Sequence, residues 1–173
     1  MSEQARTIGS ISQRYLILQI IVFALIISAL YLFLPLPAQG VTFLPLLIGA
    51  GLYLIWSRLA QVVFLRHHRT GITFLRAGAY PQAIQSFEQS YALFNQRPWL
   101  DQYRWITLLS PSSISYREMA LNNLGYAQLQ LGKHKNARTT FQTLLDAFPQ
   151  SLMADTARQI ITRIDSQNGR YRG

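Results

Sequence analysis

From Tyr15 to Ser57 no side chain carries a charge, and apolar residues run almost unbroken except at Leu34-Pro35-Leu36-Pro37-Ala38-Gln39-Gly40. A bilayer core is crossed by about 20 apolar residues at ~1.5 Å each. The pattern therefore predicts two membrane-spanning helices, 15–34 and 41–57, joined by a tight turn. The second is short, and it completes its crossing if Arg58 snorkels to the headgroups while Trp56 lies in the interfacial aromatic belt. Pro45 falls in its first turn, where a missing N–H does little harm. Ala24 and Ser28, with Gly49 and Gly51, either let the two backbones approach closely or simply face lipid. The first run is too long for the apolar core of a cleaved leader, and a second follows at once.

Beyond Ser57 the pattern changes to one that repeats. Gly71, Gly78, Ala83 and Phe87 reappear as Gly125, Gly132, Ala137 and Phe141, each displaced by 54 residues. In each copy the first glycine sits mid-helix, where a missing Cβ lets a second helix cross closely. The second glycine ends that helix as a left-handed C′ residue. The alanine faces the close crossing, and the phenylalanine four residues on fills the space beside it. Leu144 and Leu145 continue the stripe and Pro149 stops it. Each copy is predicted to be an antiparallel helix pair.

With Leu121, Leu124, Gly125, Ala137, Phe141, Leu144 and Pro149, the stretch 118–150 resembles the tetratricopeptide repeat (TPR) family at nearly every signature position of its roughly 34-residue unit. An earlier copy, 64–96, keeps Gly71, Gly78, Tyr80, Ala83 and Phe87 but has His67, Thr70 and Ser90 where the family prefers apolar or small residues. Residues 151–164, with Leu152, Ala157, Ile160, Ile161 and Ile164, have the spacing of a capping helix. The expected fold is all-α: an amino-terminal tail 1–14, a transmembrane hairpin 15–57, a TPR-like domain 64–164 and a flexible tail 165–173. Since no turn cluster follows Pro45 until Ala77, the second span is expected to run straight into the first repeat, with a break near Arg66-His67-His68-Arg69 as the alternative.

The offset between the copies exceeds one unit, so residues 97–117 are an insert. Trp99, Tyr103 and Trp105 lie in it, and Trp99, Leu100, Tyr103, Ile106 and Leu109 are placed to share one helical face. Three readings stay open for these aromatics: packing on the repeats as an extra layer, lying in the membrane interface beside Arg97 and Arg104, or contacting a partner.

The resemblance implies that the binding surface comes from the first helix of each pair: His68, Arg69, Ile72 and Arg76, then Asn122, Asn123, Tyr126 and Gln130. Family members that clamp a chaperone's terminal carboxylate use Lys and Asn where this chain has His68 and Ile72, and only Asn123 fits that pattern. A basic groove with amide donors favours an acidic or extended protein segment. The alternative is that these residues are merely the wet side of amphipathic helices.

Composition changes this picture little. The formal charge is +9, most of it after Arg58. Such a module beside an anionic leaflet gains on the order of 1 kcal/mol per Lys or Arg near the surface, which accounts for the charge without a nucleic acid. Arg6 and Arg14 precede the first span, Arg58, Arg66, Arg69 and Arg76 follow the second, and the loop between has none. Both termini are therefore expected in the cytoplasm. There is no cysteine. Of the three histidines, His67 and His68 project about 100° apart on a helix and read as a solvated juxtamembrane cluster. No phosphate loop, nucleophile elbow or paired carboxylates are present, so no metal, cofactor or catalysis is expected. The expected role is a membrane-tethered, non-catalytic adaptor or assembly factor for a protein partner, or alternatively a structural subunit of a membrane complex or homo-oligomer.

Overall fold

Each apolar stretch becomes a helix in the computed structural model, which describes residues 13–33, 44–110 and 112–170. Among these residues there is no β-strand, and the chain forms two units. The connection Leu34–Gly40, residues 1–12 and residues 171–173 lie outside the described residues, and with them the predicted turn at Pro35 and Pro37.

The first unit holds α1 (Gln13–Phe33), α2 (Leu44–Phe64, to Val63 in this unit) and the segment Gln102–Ser113. Among the described residues one stretch, Leu47–Phe64, is long and apolar enough to cross a membrane, where two spans are predicted. In α1 the apolar stretch found among the described residues is Ile17–Ala29, inside a helix of 21 residues. The small residues differ in their surroundings, and Gly49 is buried. Ala24 and Ser28 are exposed, the Ser28 hydroxyl donates to the Ala24 carbonyl one turn back, and a Cβ on Gly51 would meet nothing within 4 Å. Two large rings also meet between the helices, Phe23 and Tyr53, whose centroids are 6.3 Å apart.

The second unit holds Phe64–Asp101 and the chain from Ile114 onward. Its helices are α3 (Arg66–Arg76), α4 (Tyr80–Gln96), α7 (Tyr116–Gln130), α8 (His134–Ala147) and α9 (Ala154–Arg170), with the short α5 (Pro98–Gln102) and, in the first unit, α6 (Arg104–Thr107) between α4 and α7. The predicted continuous passage from α2 into the repeat is not made: Leu65 leaves helical geometry at φ −94°, ψ 2°, and its carbonyl accepts from the Arg69 amide to start α3 anew. Leu65 is buried, so tertiary packing overrides the uninterrupted local pattern.

The two helix pairs turn identically. Gly78 and Gly132 have φ of 71° and 70°. In each turn the glycine amide bonds three residues back (Leu75, Leu129) and the next amide five back (Phe74, Gln128), which is a Schellman cap. The crossings also match. A Cβ on Gly71 would lie 2.8 Å from the Phe87 ring, and one on Gly125 would lie 2.7 Å from Phe141. Ala83, Phe87, Ala137 and Phe141 are fully buried at these crossings. Phe148, outside helical geometry at φ −138° and ψ 60° just before Pro149, ends α8 as predicted.

The capping helix differs at both ends. Leu152 precedes α9 and is exposed, while Ala154 is buried at its start and Ala157 and Ile164 pack in the core with Leu121, Phe141 and Leu144. Its end lies at Arg170, not at residue 164 with a tail from 165. Asp165 accepts two hydrogen bonds from the Arg138 guanidinium, at 2.7 and 3.0 Å, and this ties the last turns of α9 to α8.

Candidate functional site

The repeat register places Arg69, Ile72 and Arg76 of α3 at positions equivalent to Asn123, Tyr126 and Gln130 of α7, with His68 matching Asn122. Arg69, Arg76, Tyr126 and Gln130 are exposed, and Asn122 and Asn123 are partly so. Ile72 is half-buried, packed with Phe74, Leu75, Tyr80 and Ile84 on the core of Ala83, Phe87, Leu124 and Ala127. The exposed members offer guanidinium and amide donors with one phenol, a set suited to carboxylates and peptide carbonyls.

His68 departs from its predicted place. It is only 8 % exposed, edge-on to Phe87 (5.8 Å) and Tyr116 (5.4 Å), and Tyr116 in turn stacks on Phe94 at 5.1 Å. His68 is thus a core ring and does not belong to the solvated cluster. Burial lowers its pKa to about 4, and the nearby Asp101 carboxylate opposes that shift. At the equivalent position α7 carries Asn122, partly exposed on its polar side, whereas Tyr116 and Phe94 close over the α3 position.

Ser90, His68 and Asp101 together look like a nucleophile, base and orienting carboxylate. The geometry does not support that use. The Ser90 hydroxyl is wholly buried and stands 3.4 Å from Nδ1 of His68. Asp101, 2 % exposed, spends its oxygens on backbone: Oδ1 accepts from the Tyr116 amide at 2.8 Å and Oδ2 from the Arg117 amide at 3.2 Å. Ser115 accepts from the Glu118 amide at 3.1 Å, so the first three amides of α7 are all capped by side chains. Ser115-x-x-Glu118 has the spacing of a capping box, of which Ser115 supplies its half while the Glu118 carboxylate accepts from the Ser151 hydroxyl. Asp101 acts from the far side of the insert and leaves no such signature. Asp101→Ala is expected to cost about 2–3 kcal/mol, because it orphans two part-buried amides and a guanidinium partner at Arg117. Urea denaturation of the full chain measures it, with Asp101→Asn falling between.

The insert is divided between the two units. Leu100 and Asp101 are buried in the repeat unit, whereas Gln102–Ser113 folds with α1 and α2. The predicted single helical face does not form: α5 and α6 are separated at Tyr103 (φ −102°, ψ 22°), so Trp99 and Tyr103 do not share it with Ile106 and Leu109. Trp99 and Tyr103 are exposed and Trp105 is half-buried.

Residues 120–151 match the family model of the tetratricopeptide repeat, and the chain carries one such repeat there. No match was found among curated proteins or among solved structures. Repeats of this family generally mediate contacts between proteins.

Proposed function

We propose that this protein is a membrane-tethered, non-catalytic adaptor or assembly factor, whose α3 and α7 present a docking face to a protein partner at the cytoplasmic membrane surface. The observation that carries this reading is the exposed set Arg69, Arg76, Tyr126 and Gln130, flanked by Asn122 and Asn123. It is presented by helices locked through the two glycine–phenylalanine crossings. Its chemistry favours an acidic or extended peptide. The tether is α2, with α1 as a second span: α1 is itself 21 residues long, and no charge occurs from Tyr15 to its end. Arginines on the outer flanks of both helices support a cytoplasmic side for the termini, beside an anionic leaflet.

The test is affinity capture of the intact protein from its native membrane, run beside the triple variant Arg76→Ala, Asn122→Ala, Tyr126→Ala. Proteins held by the docking face are expected to be lost from the variant while its melting temperature is unchanged. Capture of the same proteins at the same yield would reject the face.

A further inference from the structure

The polar side chains of α1 and α2 are few, and three of them do the same thing. Gln19 Nε2 donates to the Trp105 carbonyl, the Tyr53 hydroxyl to the Ile106 carbonyl at 3.3 Å, and Gln61 Nε2 to the Leu108 carbonyl at 3.0 Å. These carbonyls lie at the end of α6 and just beyond it, where the backbone leaves the helix and has no ladder partner. In water such groups need no help. At membrane depth irregular backbone survives only when protein satisfies it, and here the donors come from helices that are otherwise apolar.

The segment's own chemistry agrees. Its single charge, Arg104, is 5 % exposed and turned onto the segment's own backbone, donating to the Ser112 carbonyl at 2.9 and 3.2 Å and to the Ser113 carbonyl at 3.1 Å. No acidic residue occurs from Gln102 to Ser113. Leu109 is held at φ 47°, a conformation leucine adopts where surrounding contacts impose it. Outward it shows Tyr103, 46 % exposed. Trp56 on α2 is 58 % exposed, amid exposed Leu52, Ile55 and Leu59.

The depth can be read twice. Gln19 lies five residues inward from Arg14 and Tyr53 five residues inward from Arg58, so each contact sits about 8 Å beneath the level of a flanking arginine at ~1.5 Å per residue. Gln61 lies just outside Arg58. The backbone from Trp105 to Leu108 therefore climbs from upper acyl-chain depth to the headgroups.

We propose that Gln102–Ser113 is a third membrane element, an interfacial segment seated on α1 and α2 with phospholipid against its outer face. This rests on the membrane reading above. Because the chain has no cysteine, single cysteines can carry a nitroxide: Tyr103→Cys, with Leu52→Cys as lipid reference and Lys135→Cys as water reference. The full chain is reconstituted in phosphatidylcholine–phosphatidylglycerol vesicles, and the ratio of oxygen to nickel-chelate accessibility is measured. The ratio at residue 103 should exceed that at 135 several-fold and approach that at 52. Adding Gln19→Leu and Gln61→Leu, which leaves both helices more apolar, should lower the ratio at 103 and leave 52 unchanged. A water-like ratio at 103 with a lipid-like one at 52 overturns the inference alone. Water-like ratios at both overturn the membrane reading with it.

Discussion

Phe141→Ala is expected to destabilise the repeat unit by about 3–5 kcal/mol, the range for emptying a buried phenylalanine site. Its ring is fully buried against Leu121, Ala137 and Leu144 of its own helix pair and against Ala157 and Ile164 of α9, so no single helix can relax into the void. The ring is also what requires glycine at position 125. A methyl group there would meet three ring carbons at 2.7–3.0 Å, and the ring has nowhere to go. Gly125→Ala in the native chain sets an overpacking cost of about 1–3 kcal/mol against a helix-propensity gain of about 1 kcal/mol, and net destabilisation is expected. In the Phe141→Ala background the obstruction is gone, and the same substitution should become stabilising by up to about 1 kcal/mol. This reversal of sign, read from urea midpoints followed by the helical signal of the full chain, is a coupling that two independent sites cannot show. An equal effect in both backgrounds would mean that the ring does not set the residue at 125.

Acidification from pH 6.5 to 4 is expected to remove roughly 3 kcal/mol of stability through His68. Burial among Phe87, Tyr116 and Ser90 disfavours the imidazolium more than Asp101 favours it, which takes the folded-state pKa to about 4 from an ordinary 6.5. Between those values the unfolded chain binds more protons than the folded one, so stability rises with pH. The contribution is complete above pH 6.5 and lost as pH falls through about 4. Asp165, which its hydrogen bond from Arg138 holds below the usual carboxylate range, loses its contribution only at pH values under the ordinary carboxyl pKa. The upper window therefore reports the histidine. His68→Gln should flatten the profile between pH 4 and 6.5 while leaving the lower limb in place. A variant as pH-sensitive there as the parent would assign the effect elsewhere.

The residues that build the repeats were legible because their constraints are local. Gly78 and Gly132 end helices by backbone conformation, Ala83 and Ala137 admit a crossing by size, and each phenylalanine lies on the same helical face as its alanine. All of these act within one helix pair. The candidate docking face was legible only as far as periodicity reaches. Arg69, Arg76, Tyr126 and Gln130 are outside, but His68 is inside, because Tyr116 and Phe94 from other helices close over it. The insert departs furthest from its own periodicity. Its aromatic spacing points to a single helix, whereas Asp101 is drawn to the α7 amides, Arg104 to the carbonyls of Ser112 and Ser113, and the backbone between breaks to satisfy both.

By itself the amino-acid order determined that this chain is helical, that it carries a long uncharged apolar stretch, and that it contains a duplicated helix pair with tetratricopeptide character. Those properties follow from side-chain size, charge and backbone freedom counted along the chain. Only the tertiary structure decided that the helix breaks at Leu65, that His68 is a core residue, that Asp101 caps a helix from fifteen residues away, and that Gln19, Tyr53 and Gln61 hold the insert. Each of these depends on a partner brought close by folding, and polar groups removed from water take whichever partner is within reach, whatever its distance in sequence.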